Sequence, residues 1–180
     1  MFNNANPFCF VMVKLTMIYG DGKGKTTKCL GHIYLDAAQN KEIVVVQFLK
    51  TGENCGECIF FKELGISRWF FLGKEEFFTS KSNRRDFERM IVTGIQDLEE
   101  SLRKSNPDIL LLDELGLVLH FKLAKWKQIQ DLLRYVKEEV IITGRRIPPN
   151  IREKSDILIR IDEKKHPYNR GIEAREGIDF

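Results

Sequence analysis

No stretch of this chain approaches the ~18–20 consecutive apolar residues of a membrane-spanning helix. The run "PFCFVMV" near the start is too short for the core of a signal peptide and lacks a basic segment before it. Charge of one sign is scarce as well. A net charge of +3 over 180 residues gives no case for nucleic acid as a main partner, while a local basic pocket for an anion stays open. No repeat or low-complexity tract interrupts the chain. What remains, at 43% hydrophobic and 31% charged residues, is the composition of one globular domain spanning residues 1–180, expected in the cytoplasm. Met12-Val13-Lys14-Leu15 would make a natural start, so residues 1–13 are set apart as a candidate N-terminal extension.

Cysteine is sparse too. Of four, Cys9 and Cys29 stand alone, whereas Cys55 and Cys58 form "CGEC". That spacing is half a metal site, a redox dithiol, or two cysteines in a loop, and a complete zinc site needs four ligands.

Apolar runs alternate with segments of helical period. "KLTMIYG" leads into a glycine loop, after which Leu30, Ile33, Tyr34 and Ala37 fall on one helix face. "IVVVQF" and "ILLLDE" have the continuous apolar character of strands buried on both faces. Between them lie a loop with Gly52, Cys55 and Gly56, a short helix, and the strand-like "SRWFFL". A long helix starts near Asn83 or Arg85, buries Phe87, Met90, Ile91, Ile95, Leu98 and Leu102, and ends at Asn106-Pro107. A helix marked by Trp126, Ile129, Leu132, Leu133 and Val136 follows, then the strand "VIIT". A short helix opens at Pro148-Pro149, and "ILIRI" is expected near a sheet edge. The alternation predicts an α/β fold in three layers, a mostly parallel sheet with helices on both faces. Ligands of such sheets bind at the carboxyl ends of the strands. Gly20, Gln47, Asp113 and Thr143-Gly144-Arg145 all lie at those ends.

One glycine is conspicuously missing. In "IYGDGKGKTT" the pattern G-x-x-x-x-G-K-[ST] would place its first glycine at position 19, which is Tyr19. The context is still that of a phosphate-binding loop: strand, Gly20, Asp21, Gly22, Lys23, Gly24, Lys25, Thr26, Thr27, helix. Backbone N–H groups and a helix N-terminus would cradle an anion there. "ILLLDE" delivers Asp113 and Glu114 to a strand end, where a carboxylate can hold Mg²⁺. Arg145 in "TGRR" could clamp a phosphate or carboxylate. Phe77 and Phe78, in a polar stretch, could line a pocket for a flat apolar ligand. His166, between lysines and a proline, is read as a surface-loop residue.

Together "GDGKGKTT", "VVQFLK", Gly56-Glu57, "LLLDEL", "IITGR" and the ending "KHPYNRGIEAREGIDF" resemble the ATP:corrinoid adenosyltransferases, over about Tyr19 to Phe180. Members share the shortened glycine pattern. The resemblance implies a P-loop NTPase (RecA-like) fold in which ATP lies along the loop in the sense opposite to that in kinases. It implies transfer of the 5′-deoxyadenosyl group of ATP to the cobalt of a cob(I) corrinoid, with release of triphosphate, in adenosylcobalamin biosynthesis or salvage. Lys25 and the backbone of Asp21 to Thr27 would hold the triphosphate, Thr26 and Glu114 would ligate Mg²⁺ with Asp113 close by, and Arg145 would lie at the nucleotide. A homodimer and an electron donor such as a reduced flavoprotein are also implied. Lys165, His166 and Asn169 fall in the family's C-terminal motif.

Three places depart from the family. Thr51 follows the "QFLK" lysine where glycine is usual, and Gly116 follows "DEL" where a small polar residue is usual. Glu76, Phe77 and Phe78 stand where the family has Phe-Thr-Trp. Phe78 can replace the tryptophan as an apolar wall of the corrinoid site; Glu76 cannot replace the phenylalanine. Two other readings stay open on the residues alone. A kinase or NTPase would transfer the γ-phosphoryl group, and a non-catalytic protein would only carry ATP or a corrinoid.

Overall fold

The computed structural model describes residues 13–51, 56–66, 68–74, 78–79 and 81–165, without the side chains of Gly56 and Cys58. Phe77, Glu76, Cys9, Cys55, His166 and Asn169 lie outside the described residues.

Six parallel strands form one sheet in the order β3-β2-β4-β5-β1-β6. They are β1 (Lys14–Tyr19), β2 (Ile43–Phe48), β3 (Arg68–Leu72), β4 (Ile109–Asp113), β5 (Glu139–Gly144) and β6 (Ile157–Arg160). The helices are α1 (Lys25–Ala37), α2 (Gly56–Glu63), α3 (Arg84–Ser105), α4 (Leu115–His120), α5 (Trp126–Leu133) and α6 (Pro149–Arg152). This is the expected α/β architecture, consistent with a P-loop NTPase-like fold.

The period of two along each strand divides the core. Met17, Val44, Val46, Phe48, Leu110, Leu112, Val140 and Ile142 face α3 to α6, where Phe87, Ile91, Ile95 and Leu98 meet them. Ile18, Val45, Leu111 and Ile141 face α1 and α2, where Cys29, Ile33 and Phe61 meet them. Every residue of β2, β4 and β5 is buried, whereas β6 is exposed over most of its length, as befits the sheet edge. Asn106, in the left-handed conformation, closes α3.

On α1 the buried face differs from the expected one. Cys29, Ile33 and Asp36 point inward with Lys25, while Tyr34 is half exposed, its ring tilted against that of Phe60. A charged residue fits there because Lys41 pairs with Asp36 at 2.8 Å. The burial of Cys29 is complete and pushes its thiol up to about 12. Cys29 should therefore resist iodoacetamide at pH 8 in the folded protein and react only after unfolding, because the thiolate is the nucleophile. Peptide mass spectrometry after a labelling pulse checks this.

Candidate active site

The loop after β1 shows how the missing glycine is accommodated. Tyr19 is the last strand residue, in register with Gly144 on one side and Arg160 on the other. Its carbonyl accepts the Ile161 N–H at 2.8 Å, and its ring lies under the Arg152 guanidinium at 4.6 Å. The turn thus begins at Gly20, one position later than in the longer pattern. Gly20 has φ 117°, and a Cβ there would lie 2.3 Å from the Ile161 carbonyl oxygen. The Gly22 N–H donates to that same oxygen at 3.0 Å. The stretch leaving β6 therefore packs directly on the loop. Gly24, at φ 95°, caps α1, whose first residue is Lys25.

Lys25 is buried, and its ammonium donates to the Gly22 carbonyl at 2.7 Å, folding back over its own loop. Burial lowers its pKa, against the opposing pull of Glu114, Asp21 and Asp113. Asp21, Lys23 and Thr27 are exposed along the rim, as is the side chain of Arg145. Arg145 still acts at the centre, since its charge is felt by both Lys25 and Glu114.

Strand order brings the acids to the loop. One strand, β5, separates β1 from β4, so the two strand ends lie about 10 Å apart at ordinary sheet spacing. The first turn of α1 bridges that gap, and the Thr26 hydroxyl donates to Asp113 Oδ1 at 3.0 Å. Thr143, at the end of β5, donates to the same oxygen at 2.6 Å. Asp113 Oδ2 accepts from Gln47 Nε2 at 3.0 Å and Lys50 Nζ at 2.9 Å. Four donors thus occupy the lone-pair positions of a carboxylate with no exposed surface. Burial alone would raise this carboxyl, but the Lys50 charge and the hydrogen bonds from Thr143 and Gln47 hold it below the usual range.

Glu114 is the opposite case. It adopts a left-handed conformation (φ 59°) as the N-cap of α4, and its N–H donates to Thr143 Oγ1 at 2.9 Å. Its side-chain Oε2 is buried with no hydrogen-bond partner among the described residues. Burial, together with the neighbouring charge of Asp113, pushes its carboxyl above the ordinary value in spite of Lys50, Lys25 and Arg145. An unsatisfied, desolvated carboxylate oxygen, on the residue next to the carboxylate that holds the Thr26 hydroxyl, is the kind of hard oxygen a small divalent cation takes. The hydroxyl of Thr26 and the carboxylate of Glu114 are chemically suited to Mg²⁺, whereas the acceptors of Asp113 are already filled.

Gly116 and Gly144 meet backbone to backbone near this centre. A Cβ on Gly116 would lie 3.0 Å from the Gly144 Cα and 2.8 Å from the Ile147 side chain. A side chain at position 116 would press on both the Ile147 side chain and the Gly144 backbone. Phe78 packs edge-on against Phe87 at 5.1 Å and against Phe121 at 5.1 Å, and Phe121 itself is 36% exposed.

Residues 13–180 match the sequence profile of the ATP:corrinoid adenosyltransferase BtuR/CobO/CobP family. The chain belongs to this family. Among its relatives are a corrinoid adenosyltransferase of Sinorhizobium sp, 28% identical over 89% of this chain and 77% of that protein, and one of Escherichia coli K12, 29% identical over 89% and 82%. The corrinoid adenosyltransferase CobA of Salmonella typhimurium LT2 is 27% identical over 89% and 82%. Membership makes the chain a transferase that joins ATP and a corrinoid in adenosylcobalamin synthesis, and it does not favour the kinase or carrier readings. No helix among the described residues is long and apolar enough to cross a membrane.

For this corrinoid adenosyltransferase chain, sequence reasoning named the loop, the two acids and Arg145. It placed Gln47 and Thr143 at the strand ends without giving them a partner, and it missed Lys50; these three complete the polar cluster around Asp113. It also missed Phe121, the exposed ring beside Phe78. The polar residues closing the "VVQFLK" and "IITG" strands were the available signal.

Proposed function

We propose that this site binds Mg²⁺-ATP along the Gly20–Thr27 loop and presents the ribose C5′ to a cob(I) corrinoid. The cobalt(I) lone pair forms the cobalt–carbon bond as the C5′–oxygen bond breaks, and that electron pair leaves with the triphosphate. The single observation that carries the metal assignment is the buried Glu114 Oε2, without a hydrogen-bond partner among the described residues, on the residue next to the Asp113 that holds Thr26. Mg²⁺ bound there would supply charge neutralisation for the leaving triphosphate.

The chain's own residues do the remainder. Lys25 swings from the Gly22 carbonyl onto the triphosphate, where a desolvated cation is worth most. Loop N–H groups and Arg145 hold the other oxygens. Phe78 and Phe121 form an apolar surface beyond the six residues of α4, about 9 Å of helix from Glu114. That surface would receive the corrinoid and exclude water from its lower face. A cytoplasmic homodimer served by a reduced flavoprotein completes this reading, because cobalt(II) must be reduced before it can attack.

Anaerobic incubation with Mg²⁺-ATP and chemically generated cob(I)alamin tests the proposal. A light-sensitive cobalt–carbon bond and stoichiometric triphosphate are expected. Inorganic phosphate as the product would sink it.

Glu114→Gln should separate chemistry from stability. Turnover at limiting Mg²⁺ should fall about 10–100-fold. Thermal stability should hold or rise, because a group whose folded pKa is raised is destabilised in its ionised form. The backbone N–H that grips Thr143 is untouched by the change. Loss of the fold would count against this assignment.

A further inference from the structure

Lys50 is held in place by an unusual piece of backbone. Leu49, just past β2, has φ 59°, a left-handed conformation that is costly for a branched apolar residue. Its N–H is fixed to the Leu72 carbonyl at 2.8 Å. Behind it, Gly73 leaves no room for a side chain, since a Cβ there would lie 2.3 Å from the Lys50 nitrogen. This reversal turns the chain so that the Lys50 ammonium comes back over the strand ends to Asp113 Oδ2 at 2.9 Å, with Glu57 at 4.0 Å. Strain of this kind persists where the surroundings over-determine it, and it clusters at functional sites.

Asp113 and Glu114 are adjacent carboxylates at one strand end. Left to themselves, two such groups would share a divalent cation with or without a nucleotide. We infer that Lys50 is a positioning residue that keeps Asp113 out of the metal's coordination, so that Asp113 orients Thr26 and Glu114 alone supplies the carboxylate ligand. The geometry sets this division. Lys50 and Gln47 close the Oδ2 side, Thr26 and Thr143 close the Oδ1 side, and only Glu114 keeps an open oxygen. The site would then bind the metal well only with the triphosphate supplying the remaining oxygens. This inference rests on the Mg²⁺-ATP reading above and adds a residue and a role to it.

The test is Mn²⁺ binding to the full chain without nucleotide, followed by electron paramagnetic resonance, in the wild type, Lys50→Met and Lys50→Arg. Removing the restraint frees a second carboxylate, so nucleotide-free Mn²⁺ affinity should rise about tenfold or more in Lys50→Met. Mg²⁺-ATP turnover should fall about 10–100-fold in the same variant. Lys50→Arg, which keeps the charge, should recover both. Wild-type Mn²⁺ affinity in Lys50→Met would overturn the inference. Where Lys50→Met does not fold, the neutral pair Lys50→Met/Asp113→Asn is compared with Asp113→Asn, since neither leaves Asp113 charged and unpaired. The two should bind Mn²⁺ alike, and a further change on removing Lys50 would overturn the role given to it. The Mn²⁺ arm uses neither ATP nor corrinoid, so a wild type that fails to adenosylate cob(I)alamin is recognised separately as a failure of the proposed function.

Discussion

Asp113→Ala is expected to destabilise the fold by about 3–5 kcal/mol, the usual cost of removing one partner of a buried charge pair. The carboxylate has no exposed surface and receives four donors, from strands β2 and β5, the turn after β2 and helix α1. Its loss leaves the Lys50 ammonium without its nearest counter-charge and the Gln47 amide without the acceptor at 3.0 Å. Against total stabilities of ~5–15 kcal/mol this is a large fraction, and the melting temperature should drop by on the order of 10 °C. Urea unfolding measures it. The sign of the pH dependence follows from the depressed carboxyl. The stabilisation is fully present above the unfolded-state value of about 4 and is lost as pH falls below that, through the folded value. The gap between wild type and variant should therefore be constant from pH 5 to 7 and narrow in more acidic buffer. A gap that widened on acidification would contradict an ionised Asp113.

Lys25→Ala is expected to leave the fold intact and to lower kcat/KM by about 10²–10³, the usual cost of deleting one preorganised group that stabilises developing charge. The ammonium is buried, its pKa is lowered by that burial, and it donates to the Gly22 carbonyl of its own loop. Removing it relieves desolvation, so the melting temperature should stay within about 2 °C of the wild type. The opposite outcomes of the two substitutions, on residues of one site, distinguish the group that acts from the group that braces. Normal turnover in Lys25→Ala would mean that the triphosphate lies elsewhere.

Much of this site was legible in the sequence because local patterns carry it. A strand, three glycines, a lysine and a helix specify an anion cradle wherever they occur together, and a run of four apolar residues fixes where Asp113 and Glu114 emerge. Gln47, Asp113 and Thr143 could be placed together at the strand ends; what could not be read was which of these side chains touch. Gln47 and Lys50 reach Asp113 because β2 lies beside β4, and Thr143 reaches it because β5 lies on the other side. Strand order is a property of the whole fold, and no spacing along the chain encodes it. The same limit explains the inner face of α1. Apolarity alone selected Tyr34, whereas the folded chain buries Asp36, whose charge is met by Lys41 from beyond the helix. Tyr19 shows the reverse case. A mismatch with a motif proved to be a strand residue, and the loop simply starts after it.

The contact between the nucleotide loop and the end of β6 has a consequence for biosynthesis. Gly20 and Gly22 are shaped against Ile161 and Asp162, and those residues are among the last of the described chain to leave a ribosome. A nascent chain with its first five strands in place would hold most of the sheet, yet the wall that fixes its phosphate cradle would still be missing. Competence to bind ATP then arrives late, as a mark that the edge strand has docked. Because this closure joins segments far apart in sequence, it belongs to the slow part of folding.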